Sequence, residues 1–92
     1  MYDRDLTNIW RIEIRFDEDE THTHATIQVE FDDGDTMTAV GDARRNPKDP
    51  NQPMIGEEIA AARGLIALGT ELLTRAGGRI EAVTRHPVYL VS

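Results

Sequence analysis

The chain has no cysteine, a single serine and few aromatic rings. Without cysteine there is no disulfide and no zinc thiolate site. The one serine is the terminal Ser92, so the inventory for nucleophilic catalysis is nearly empty. Carboxylates are plentiful, but they fall in surface turns, whereas general acid–base chemistry needs a group tuned toward neutrality in a pocket. A non-enzymatic protein is expected, with no cofactor, metal or small-molecule substrate. Five aromatic side chains (Tyr2, Trp10, Phe16, Phe31, Tyr89) give a core little bulk. A single domain over residues 1–92 is expected, and domains of this size often need a staple or a partner. With disulfides excluded, oligomerisation is the remaining route. No apolar run approaches the roughly 20 residues of a membrane-spanning helix, and "MYDRDLTNIW" lacks a basic-then-apolar leader pattern. A soluble, cytoplasmic protein is expected.

Positive charge is scarce too: the net charge is −7. That argues against loose, sequence-independent binding to nucleic acid. The imbalance is local, however. Residues 1–42 carry twelve acids and three arginines, whereas residues 43–92 carry five acids and seven cations. Repulsion from a polyanion is therefore concentrated in the first half.

What is present patterns clearly. In "IWRIEIRF", residues 9–16, Trp10, Ile12, Ile14 and Phe16 alternate with Arg11, Glu13 and Arg15. That period of two predicts a half-buried strand. "HATIQVEF", residues 24–31, alternates likewise, with Ala25, Ile27, Val29 and Phe31 inward. The intervening "DEDETHT" reads as a solvated turn. "DDGD" is a tight hairpin signal in which Gly34 takes a positive φ. Residues 36–43 form a third strand, with Met37, Ala39, Gly41 and Ala43 on the core side. The outward face, with Arg11, Glu13, Arg15, Gln28 and Glu30, reads as solvated.

From residue 56 to 76 the period changes to about 3.6. Ile59, Ala62, Ile66 and Leu73 share one stripe; Ala61, Leu65, Leu68 and Leu72 share the next. Together they cover more of the helix than a three-stranded sheet hides. Glu57 and Glu58 suit the first turn, Gly77 and Gly78 mark the stop, and Arg75 lies near the negative end. Gly64 and Gly69 make sense where a neighbouring backbone approaches closely. The tail, broken by Pro87, reads as extended, with a short strand near 80–84. The fold class is α+β: a three-stranded antiparallel meander, one long helix and a short C-terminal extended segment.

Between sheet and helix runs "GDARRNPKDPNQPMIGEE", with three of the four prolines and three of the ten cations. Arg44, Arg45 and Lys48 could contact phosphate, since a guanidinium donates two hydrogen bonds at once. The same stretch also reads as architecture. Asn46 before Pro47 favours a turn, Asp49 and Asn51 bond nearby amides, Pro53 stiffens the helix start, and Arg44 pairs with Asp42 or Asp49. Exposed amides at Gly56 could cradle a phosphate, but the glutamates beside them occupy that field. His22 and His24 share a strand face and could meet one ion, yet no third fixed ligand is evident; a solvated hairpin is the better reading.

The run from Val40 to Leu73, followed by "IEAVT", resembles a family of small actinobacterial proteins of unknown function. Its most specific part is A-R-x-N-P-x-D-x-N-x-P-x-I-G, met by Ala43, Arg44, Asn46, Pro47, Asp49, Asn51, Pro53, Ile55 and Gly56, with Ala62 and Arg63 following. The resemblance spans Trp10 to about Thr84. It implies a fold like a double-stranded-RNA-binding domain, a dimer of β-β-β-α units, association with hypoxia and dormancy, and shape similarity to ribosome hibernation factors. This chain departs from domains that bind double-stranded RNA in having Glu57 and Glu58 where they carry lysines. Two readings follow: a homodimeric stress or dormancy protein docking on the ribosome or RNA, or an acidic protein–protein adaptor.

Overall fold

The computed structural model describes residues 7–44 and 53–85. It contains strands β1 (Arg11–Glu18), β2 (His22–Glu30) and β3 (Thr36–Arg44), then helix α1 (Pro53–Thr84). The strands form one antiparallel sheet in the order β1-β2-β3. The α+β meander-then-helix reading therefore holds.

Turn chemistry sets the strand register. At the first turn the Asp19 side chain accepts from the Thr21 amide (2.9 Å), and the Asp19 amide donates to the His22 carbonyl (2.9 Å). At the second, Gly34 sits at φ 90°, where residues with a Cβ are rarely stable, and its amide donates to the Phe31 carbonyl. These turns place Ile12 opposite Val29, Ile14 opposite Ile27, and Ile27 opposite Ala39. Every inward residue thus lies beside another inward residue.

The core is small. Ala25, Ile27, Val29, Ala39, Ala43, Ala60 and Leu68 are its buried apolar members, and only Ile27 and Val29 are both large and fully enclosed. Small residues are required because α1 lies very close to the sheet. A Cβ built on Gly41 would strike the Ala60 carbonyl and the Gly64 backbone. One on Gly64 would lie 2.6 Å from Ile27 Cγ1. The expectation of a close backbone approach holds at Gly64. Gly69 differs, because within 4 Å of its Cβ position this chain places nothing.

α1 crosses β3 and β2 and scarcely touches β1. With its 32 residues it is about 48 Å long, against roughly 30 Å for a nine-residue strand. The Cα radius of gyration is 17.5 Å, well above the ~12 Å of a compact chain of this length. Two consequences follow. The inward face of β1 is left half open, with Ile12 53% exposed and Trp10, just before the strand, 51% exposed. The last turns of the helix also carry exposed apolar residues, Ile80 and Val83.

The helix boundaries correct the sequence expectation at both ends. α1 begins at Pro53, a residue suited to the first turn because its missing N–H would be unpaired there anyway. Glu57 and Glu58 therefore lie one turn further in than expected. At the other end Gly77 and Gly78 do not stop the helix, and the strand expected near 80–84 is helical. Each glycine costs about 1 kcal/mol in a helix, which weakens it without ending it. The stop is Arg85, at φ 63°, whose amide donates to the Glu81 carbonyl (2.6 Å). Pro87 follows two residues on, and proline is common just beyond a helix end.

Candidate functional site

Among the described residues, the outer face of α1 carries a run of exposed apolar side chains. Ala60, Gly64 and Leu68, one turn apart, face the sheet and are buried. The stripe of Ile59, Ala62 and Ile66 points the opposite way, and Ile66 is 69% exposed. Leu65, Ile80 and Val83 are exposed as well. The sequence expectation that one sheet cannot hide both apolar stripes holds. Leu68 and Leu72 pack on the core, and the Ile59 stripe does not.

Beside this face is a cleft of about 760 Å³ between α1 and the β1–β2 end of the sheet. Trp10 and Phe31 form one wall, with ring centroids 4.7 Å apart at 90°. Ile66, Gly69, Leu73 and Ala76 form the helix wall. Arg75 closes one end: its guanidinium lies 5.1 Å from the Phe31 ring centre and donates to Asp35 at 2.9 Å. That donation holds the Asp35 carboxyl below its ordinary range. A cleft of this volume was not expected from the sequence, since it depends on how far α1 stands from β1. Its lining is mainly apolar, as suits a docking surface.

The other expected residues divide. Arg44 ends β3 and is exposed, opposite His22. Arg45, Asn46, Pro47, Lys48, Asp49 and Asn51 lie outside the described residues. Gly56 has a packing role: a Cβ there would come 2.8 Å from Thr23 Oγ1 on β2. Arg63, the last residue of the family-like pattern, reaches the sheet edge and donates to the Asp42 carbonyl (2.8 Å). This ties α1 to the edge strand β3.

His22 and His24 lie on β2 and share its outer face, as expected, but they belong to a strand and not to an acidic turn. They converge on one atom: Asp42 Oδ1 accepts from His22 Nε2 (2.9 Å) and His24 Nδ1 (2.7 Å). The His24 bond, seconded by His22, holds the Asp42 carboxyl below its usual range. Of the two carboxylates expected for Arg44, Asp42 is instead held by the histidines, and Asp49 lies outside the described residues. Among the described residues no group of three such side chains is placed to hold a metal ion.

One turn into α1, Glu57 meets Glu18 of β1. Glu57 is pushed above the ordinary carboxyl range, first by its hydrogen bond to Glu18, then by partial desolvation and by Glu18's charge. A carboxyl with a raised folded-state pKa favours the fold only while protonated. That contribution is present at acid pH and is lost as pH rises from the ordinary glutamate value through the raised one. Glu57→Gln is therefore expected to raise the melting temperature at neutral pH and leave it unchanged in strong acid. Melts of parent and variant at the two pH values check this; a variant less stable at neutral pH contradicts the repulsion.

Comparison with known proteins agrees with this architecture. The model of the Rv2632c-like family matches residues 8–89. The uncharacterized protein Mb1767 of Mycobacterium bovis is 39% identical over 82 residues, covering 89% of this chain and 86% of the relative. The uncharacterized protein Rv2632c of Mycobacterium tuberculosis is 35% identical over 78 residues, covering 85% and 83%. The crystal structure of Rv2632c superposes with a TM-score of 0.81 at 30% identity, over 92% of this chain and all of that one. Fold, length and residue pattern agree: the chain belongs to the Rv2632c-like family.

Proposed function

We propose that this protein is non-enzymatic and works as a homodimer, joined through the outer face of α1, that docks on ribosomal RNA in stressed or dormant cells. The observation that carries the dimer is the exposed stripe Ile59, Ala62, Ile66 on a helix whose opposite face already fills the core. Isolated soluble domains rarely leave so long an apolar face wet. A fully enclosed core with only two large side chains adds a reason for association. Docking rests on Arg44, Arg45 and Lys48 in the linker after β3, at the start of the less acidic half of the chain.

The test is sedimentation with ribosomes at increasing salt. Co-pelleting is expected at low salt and falls as salt rises. The triple change Arg44→Ala, Arg45→Ala, Lys48→Ala reduces the slope by about one unit per lost phosphate contact. Absence of pelleting at low salt ends the RNA reading and leaves the dimer standing.

A second reading is an acidic adaptor for a basic protein surface. The Glu18–Glu57 pair favours it, because two carboxyls held in mutual repulsion gain when a cationic partner neutralises them. Capture of basic proteins that persists after nuclease treatment supports this reading over RNA docking.

A further inference from the structure

The outer face of α1, exposed at Ile59, Ala62, Ile66, Ile80 and Val83 and half-buried at Gly69, Leu73 and Ala76, is more regular than a plain apolar stripe. Ile59, Ile66, Leu73 and Ile80 recur every seven residues. Ala62, Gly69, Ala76 and Val83 recur in the same way, each three residues after one of the first set. This is the a/d spacing of a coiled-coil seam, held for four heptads and about 36 Å. Neither series is used by the protein's own core, whose helix contacts come from Ala60, Ala67, Leu68 and Leu72. The seam is also size-sorted: every a position is large and, until Val83, every d position is small.

We infer that two copies pair through this seam as closely packed antiparallel helices, each large a residue lying over a small d residue of its partner. The inference rests on the homodimer reading and deepens it. Parallel helices would stack large on large and small on small, alternating overfilled and empty layers along one axis. Antiparallel helices place one of each in every layer, so a single helix separation suits the whole length.

The register follows from the sequence. Setting Ile59 against the partner's Val83 places Ile66 against Ala76, Leu73 against Gly69 and Ile80 against Ala62. Three of the four layers then set a large residue on a small one, and the outermost pairs Ile59 with Val83. Gly69 gains an explanation as well. Its Cβ position is open within the chain, and a partner's leucine occupies that space. The cleft is completed by the second copy too, because its helix wall is made of seam residues and its far wall is Trp10.

The native chain has no cysteine, so a single introduced thiol reports geometry cleanly. Two variants, Thr70→Cys and Ile66→Cys, are made at exposed positions and treated with a short bis-maleimide, and their association is measured by sedimentation equilibrium. In the inferred register the two Thr70 positions flank the two-fold axis, about 3 Å apart along it. The two Ile66 positions are about 15 Å apart along the axis. Covalent dimer is expected from Thr70→Cys and none from Ile66→Cys. Efficient linkage at Ile66→Cys means a parallel or shifted pairing and overturns the seam, while the homodimer stands. A dimer in sedimentation that links at neither position overturns it as well, placing the contact elsewhere. A monomer at micromolar concentration removes both readings.

Discussion

Gly41→Ala is expected to destabilise the protein by about 3 kcal/mol, the upper end of what overpacking a core usually costs. The added methyl would occupy space held by the Ala60 carbonyl and the Gly64 backbone, neither of which is the flexible end of a side chain. To admit it, α1 must rise off β3 along its whole contact, and Ala60 and Leu68 lose their burial together. Small domains typically have only 5–15 kcal/mol in total, so the loss is a large share of the stability and lowers the urea midpoint accordingly. The control is Gly78→Ala. It lies in the same helix with nothing within 4 Å of its Cβ position, and is expected to gain up to about 1 kcal/mol from helix propensity. Urea unfolding of both variants checks the contrast. Equal midpoints would mean that the strand–helix approach at Gly41 does not limit stability.

Ile66→Asp is expected to dissociate the proposed homodimer while leaving each subunit folded. The side chain is 69% exposed in the isolated chain, so a charge there disturbs little of the subunit's own core. In the pair, two isoleucines are withdrawn from burial and two carboxylates face an apolar seam. The combined loss is about 4 kcal/mol, roughly a thousandfold in Kd. Sedimentation equilibrium reads the association, and far-ultraviolet circular dichroism reads the retained fold. Trp10, the only tryptophan, is half-exposed on the wall of the cleft that seam pairing covers. Its emission is expected to shift to longer wavelength on dissociation. An unchanged mass at micromolar concentration would show that this face is not the contact.

Much of the fold was legible in the residues. Alternation in "IWRIEIRF" and "HATIQVEF" dictates strands, since a period of two puts one apolar face on a sheet, and Gly34 in "DDGD" dictates a tight reversal. The end of α1 was less legible. Gly77 and Gly78 looked like a stop because glycine is common beyond a helix, yet Ile80 and Val83 continued the 3.6-residue period, and Pro87 lay further on. The site was legible in part. An excess of apolar helix surface followed from counting residues, whereas the cleft beside Trp10 and the convergence of His22 and His24 on Asp42 depend on contacts distant in sequence.

By itself the sequence determined the meander, the helix and an apolar surplus with no disulfide to support it. Only the tertiary structure decided which side of the helix is covered. Hydrophobicity favours the isoleucine stripe for burial, but the sheet accepted the side bearing Ala60, Gly64 and Leu68. The reason is distance. Gly41 and Gly64 let two backbones almost touch, and at that separation only small side chains fit around the crossing, leaving the bulkier isoleucines outward. A helical wheel records which residues are apolar but not how near the next backbone comes.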